Sequence, residues 1–381
     1  MKVSGVSVFT QEHIEIEINQ GKISTIRLLP ESDQTLPYVS PGFFDLQVNG
    51  YMGIDYSADS ISDDQVKKMI SNLAVSGITQ HIPTIISSPE DKILKNLRSI
   101  SHAINDCPEI EQAIPGIHIE GPFISLQDGP RGCHDSEFIR DPDFEEFLKW
   151  QEAAEGRIKM VTLAPEKTGA IEFIKKAVNS GVIIGLGHTG ASPEKIREAI
   201  SAGAQYATHL GNASFPSVPK VNNYIWEQLA ADKLFAGIIS DGFHLPGSAV
   251  KIMARAKGMD KLVLTSDVAL LGGLQPGVYK WGEMPVEVFK DGHLGLSGTD
   301  HPVGAGYLLD WDIAHFIQFT GHRLMEAISL CTINPAKLMT MPPDYGKIEV
   351  GAPANLTLFY YHSGDSRLRI VRTLCGGKVV Y

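Results

Sequence analysis

The sequence predicts an α/β protein, a (β/α)8 TIM-type barrel with a small β-sandwich domain formed from both chain termini. Three observations predict it. Eight short apolar segments alternate with amphipathic ones through the middle of the chain. Both ends alternate polar and apolar residues with period two instead. No Gly-x-Gly-x-x-Gly follows an early strand, which disfavours the competing doubly wound sheet.

At the N-terminus, HIEIEIN and KISTIRLL flank the turn-like Gln20-Gly21, and at the C-terminus ANLTLFYY, RIVRTL and KVVY repeat the pattern around Gly376-Gly377. One small β domain, residues 1–40 plus 346–381, therefore brackets a barrel spanning 41–345. The barrel strands are expected in GFFDLQV, GITQHIPTI, IPGIHIE, IKMVTLA, VIIGLG, QYATHL, LFAGIIS and KLVLTS. Helices are expected in DDQVKKMISNLAVS, AIEFIKKAVNS, SPEKIREAISAG and SAVKIMARAKG, with Ser or Asp at their starts. After the eighth strand the period breaks, and residues 272–300 read as a hairpin-bearing insertion whose role the pattern leaves open.

The 381 residues carry 33 Lys and Arg against 44 Asp and Glu, a formal charge of −11, which disfavours nucleic acid as a partner. No apolar run is long enough to span a membrane, and the N-terminus has no apolar h-region. Cys107, Cys133, Cys331 and Cys375 lie apart without a C-x-x-C pair, so a reducing cytoplasm is expected and a thiolate metal site is not.

The active site of such a barrel lies at the C-terminal ends of its strands. Glu120 ends the third strand before Gly121-Pro122, His188 ends the fifth and His209 the sixth. Taken singly, each reads as a cap or a packed core residue. Together, one carboxylate and two imidazoles at matching strand ends predict a site for one divalent metal, with zinc expected and iron, manganese or cobalt also accepted by such donors. Asp267 after the eighth strand is the candidate base, with a turn cap as its bland alternative. His244, three residues after Asp241, reads as a substrate contact or an exposed loop histidine. His118 reads as interior packing or as a support behind the ligands rather than a ligand itself, and the roles of His81 and His301 stay open.

The ordered set GFFDLQVNG, HIEGPF, TLAPE, GHTGA, ATHLGNA, DGFHL, TSDVA, LSGT and NPAKLM resembles the N-acetylglucosamine-6-phosphate deacetylases of the amidohydrolase superfamily. The resemblance implies hydrolysis of the N-acetyl amide of an amino sugar, a metal held by Glu120, His188 and His209, and Asp267 as base and then acid. It also implies a homodimer, His134 polarising the scissile carbonyl, and sugar-phosphate contacts from Asn212, Ala213 and His244. Two departures stand out. Gln47 and Asn49 occupy the places of an H-x-H pair that binds a second metal in many superfamily members, so one metal per subunit is expected. The segment SFPSVPKVNNYIWEQLA lacks the arginine that usually reaches the phosphate, leaving Lys220 as a partial substitute. The alternatives are an amidohydrolase acting on an unphosphorylated N-acyl sugar, N-acyl amino acid or cyclic amide, and a non-catalytic sugar-binding barrel.

Overall fold

In the computed structural model, which describes residues 1–30, 35–282, 284–299 and 302–381, eight parallel strands form the central barrel. They are β1 (Phe43–Val48), β2 (Ile78–Ile86), β3 (Ile117–Glu120), β4 (Ile158–Leu163), β5 (Ile183–Leu186), β6 (Tyr206–Ala207), β7 (Phe235–Ile238) and β8 (Leu262–Leu264). Each pairs with the next in chain order. The ring closes where Val48 bridges Val268 in parallel, and the Asn49 amide donates to the Val268 carbonyl at 3.0 Å.

Alternation along the strands sorts side chains between two cores. In β3, Ile117 and Ile119 face the surrounding helices, while His118 and Glu120 point into the barrel. The barrel floor is filled by Phe44, Leu46, Ile82, Met160, Tyr206 and Val263, with Leu338 and Met339 packed beneath. A closed floor leaves the strands' C-terminal ends as the open face.

All four expected helices form, but only two start on the Ser cap that the sequence offers. Ser62 and Gln65 make a reciprocal capping box on Asp63–Ala74, and Ser192 caps Pro193–Ala202, which ends at Gly203 with φ 115°. Ala170–Asn179 and Gly247–Lys257 start after Gly169 and Pro246, with no side-chain cap.

The terminal strands make one curled seven-stranded sheet, with Tyr38–Pro41 at its centre. That strand pairs in parallel with Lys2–Ser7 and antiparallel with Leu356–Tyr360, joining the two chain ends. Val3, Ile16, Ile23, Leu356 and Leu374 fill the inside of the curl. The insertion is a three-stranded antiparallel sheet, Gly277–Trp281, Met284–Val288 and Leu294–Leu296.

Candidate active site

Glu120 is the hub of the open face. The residue is 97% buried. Oε1 lies 2.8 Å from the Gln47 side-chain amide, 3.0 Å from His209 Nε2 and 3.4 Å from His188 Nε2. Oε2 lies 3.9 Å from His134 Nε2. The imidazoles stand edge to face, with ring centroids 4.4 Å apart for His134 and His188 and 4.9 Å for His188 and His209. Burial opposes the charge on Glu120, but His188 and His209 outweigh it and hold the carboxyl well below its usual range.

By distance, Glu120, His134 and His188 each bring one ligand atom within 4.8 Å of the others, and His209 is nearer still to Glu120. Proton placement separates these histidines. His188 Nδ1 lies 3.0 Å from the Pro130 carbonyl, which can only accept, so Nδ1 carries a proton and the ring turns Nε2 toward Glu120. His134 is the reverse. The Ser87 backbone N–H donates to His134 Nδ1 at 3.4 Å, and Ser87 Oγ lies 2.7 Å away. An Nδ1 that accepts leaves the proton on Nε2, aimed into the cavity. Burial, reinforced by His188, pushes His134 down to about 3, so it is neutral. His209 Nδ1 is buried without a hydrogen-bond partner. Burial opposes charging His209, yet Glu120 outweighs it and raises the imidazole to about 9.

Asp267 lines the same cavity, held by Asn49 Nδ2 at 2.7 Å. Burial pushes its carboxyl up to about 6 against the pull of His209. His244 also lines the cavity, its Nδ1 2.8 Å from Asp241 Oδ2. Burial disfavours its charge, but Asp241 outweighs this and raises it. His188, His209, Ala213 and Asp267 all have positive φ, 51°, 29°, 44° and 52°. Strained backbone just past three strand ends, and at Ala213 in the loop after β6, is the kind that collects at functional sites.

The cavity, ≈ 590 Å³, is also lined by Asn212, Ala213 and Ser214 and by Trp281, Met284 and Leu296 of the insertion. Of the expected site residues, Glu120, His134, His188, His209, Asn212, Ala213, His244 and Asp267 meet here, whereas Lys220 is exposed and outside the lining. His118 lies below, bonded to Thr162 Oγ1 at 2.8 Å and near Thr84 Oγ1 at 3.2 Å. His81 is buried against Tyr56, with Nε2 2.7 Å from the phenol oxygen. His301 lies outside the described residues. Ser87 and the insertion residues went unread in the sequence. Ser87 directly follows β2, so the strand-end rule that found Glu120 could have found it.

Residues 38–380 match the amidohydrolase family. The N-acetylglucosamine-6-phosphate deacetylase of Caenorhabditis elegans is 32% identical over 359 residues, 90% of this chain and 82% of that one. The chain belongs to the N-acetylglucosamine-6-phosphate deacetylase family of amidohydrolases. Another deacetylase of that name, from Bacillus subtilis, is 29% identical over 396 residues, covering 100% of this chain and 96% of that one. A mutant deacetylase of Mycobacterium smegmatis, solved in complex with N-acetyl-D-glucosamine-6-phosphate, superposes with a TM-score of 0.85 at 25% identity, over 97% of this chain and 94% of that one. Metal dependence is a property of the amidohydrolase superfamily, and the carboxylate–imidazole cluster of this deacetylase-family chain is a donor set that fits it.

Proposed function

We propose that this chain hydrolyses the N-acetyl amide of N-acetylglucosamine 6-phosphate, giving glucosamine 6-phosphate and acetate. The observation that carries the reading is the buried Glu120 carboxylate ringed by imidazoles in a cavity that Asp267 also lines. The family relationship and the sugar-phosphate complex of the Mycobacterium smegmatis relative support it.

Glu120, His188 and His209 would hold one divalent ion, with zinc the ion we assign to this donor set. Bound there, it supplies Lewis acidity toward the attacking water and the amide carbonyl. Asp267 takes a proton from the attacking water as its oxygen bonds to the carbonyl carbon, then delivers that proton to the amide nitrogen as the C–N bond breaks. A carboxyl near 6 is suited to both transfers at neutral pH. His134, neutral with its proton on Nε2, donates to the carbonyl oxygen as negative charge gathers on it. Gln47 donates to Glu120 and Asn49 to Asp267, so the two amides orient the ligand and the base.

Asn212, Ala213 and His244 are our candidates for the sugar-phosphate contacts. A second reading, an unphosphorylated N-acyl amino sugar, is favoured by one observation. No lysine or arginine is among the described residues that line the cavity, and Lys220 points to solvent. A homodimer belongs to the same proposal, since Val221 and Trp226 stay 79% and 48% exposed on the segment that follows the site. So does a cytoplasmic setting, which suits four unpaired cysteines. No helix among the described residues is long and apolar enough to cross a membrane.

Acetate release from N-acetylglucosamine 6-phosphate and from N-acetylglucosamine, measured side by side on zinc-loaded protein, tests the reading. Faster release from the phosphorylated sugar supports it. Equal or inverted rates move the substrate to the second reading, and release from neither overturns both.

A further inference from the structure

The insertion is tied to the rest of the molecule through a column of rings. Phe289 and His293, at its outer hairpin, stack with centroids 4.0 Å apart and planes 6° from parallel. His293 stacks in turn on Phe243 at 4.6 Å and 14°. Phe243 stacks on Tyr307 at 5.6 Å and 12°, and Tyr307 on Trp311 at 4.2 Å and 13°. Trp311 lies on the helix Leu309–Thr320 that packs against the barrel, and its indole N–H donates to the Asp241 carbonyl at 3.0 Å. Tyr307 donates its hydroxyl to the Asp291 carbonyl, which fixes the hairpin to the same column.

Phe243 is the residue before His244, and both of their amides donate to Asp241 Oδ1 at 2.9 Å. The ring that joins the column is therefore one peptide unit from a side chain that lines the cavity. The other end of the column belongs to the sheet that supplies Trp281, Met284 and Leu296 to the same lining.

We propose that Phe243 and His293 are positioning residues that lock the insertion to the His244 loop and so set the width of the substrate cavity. This rests on the cavity being the substrate site. Neither residue touches the Glu120 cluster, so their loss acts on binding rather than on chemistry. A stacked aromatic pair contributes enough that losing one should raise KM about threefold to tenfold, with kcat within about twofold.

The test uses the zinc-loaded full chain with Phe243→Ala, His293→Ala and His293→Phe, read by steady-state kinetics and by amide hydrogen exchange of the free protein. The expected result is faster exchange in both 241–246 and 284–296 for the two alanine variants, together with raised KM. His293→Phe, which keeps the stack and removes the bond that His293 Nδ1 makes to Asp291 Oδ1 at 2.6 Å, should restore both. Unchanged exchange in the two segments, or a kcat loss with KM unchanged, would overturn the proposal. Exchange needs no substrate, so a wild type inactive on every N-acetyl amino sugar would count against the assigned reaction while exchange still decides the column.

Discussion

At the residue scale, the division of labour among the site's side chains comes from who holds which proton. Replacing Asp267 by Asn keeps the shape and the bond from Asn49 but removes the proposed base, so turnover should fall about 10²- to 10⁴-fold with metal content unchanged. Metal analysis beside single-turnover rates checks both halves, and near-normal turnover would remove Asp267 from the mechanism. The base must be unprotonated to act, and burial raises Asp267 from its ordinary value to about 6. Activity should therefore climb as pH rises toward 6 and level off above it, and a bound cation can only move this limb lower. A limb above about pH 7 would belong to another group. Ser87 sets the tautomer of His134, so Ser87→Ala, which keeps the backbone donor and loses the hydroxyl, should lower kcat about tenfold and less than His134→Ala does. The meeting of Glu120, His188, His209 and Asp267 in one cavity was legible because each lies at or just past the C-terminal end of a strand. Proton placement was not legible, since it depends on Pro130 and Ser87, which reach the rings from other loops.

At the element scale, the strand ends carry the strain that makes the site. Gly121, with φ +70°, turns the chain immediately after Glu120, and a Cβ there would collide with Ser87 Oγ and approach the His134 ring. Gly121→Ala should cost about 1–3 kcal/mol for the backbone alone. It should also disturb His134 while leaving Glu120 in place. Thermal unfolding and turnover measured together would show a lowered Tm and a reduced kcat, and a wild-type kcat would separate the turn from the catalytic geometry. The eight strands and the capped helices were readable because period two and period 3.6 are local signals. The insertion was readable as a break in that period, but not as a wall of the cavity. Trp281 and Leu296 lie on a sheet that meets the ring column of Phe243, Tyr307 and Trp311 and packs Val286, Val288 and Leu294 on Ala269 and Leu271, contacts that no local period reveals.

At the scale of the whole molecule, the question is whether the terminal sheet is an appendage or part of the barrel's stability. Both chain ends read correctly as β-rich, since each strand alternates. The linking strand Tyr38–Pro41 has only four residues and no alternation to betray it. We propose residues 1–40 plus 346–381 and 41–345 as domains in the topological sense, joined by one continuous packing layer. Phe359 is fully buried, in the same core as the barrel residues Phe43 and Ile78, with its ring 6.2 Å from that of Phe43. Thr357 and Thr373 donate their hydroxyls at 2.7 Å to the carbonyls of Gly77 and Ala74, at the turn that leads into β2. Without the sheet, those carbonyls and the Phe43 ring would face water at the point where the barrel's second strand begins. Phe359→Ala should therefore cost about 3–5 kcal/mol. The fluorescence of Trp150, buried in the barrel's outer layer, should report that loss in the same denaturant transition as the far-ultraviolet signal of the whole chain. The truncated chain 41–345 should fail to give that transition at all. If Trp150 kept its wild-type midpoint in the Phe359→Ala protein, the barrel would be energetically independent of the sheet that the two termini build on it.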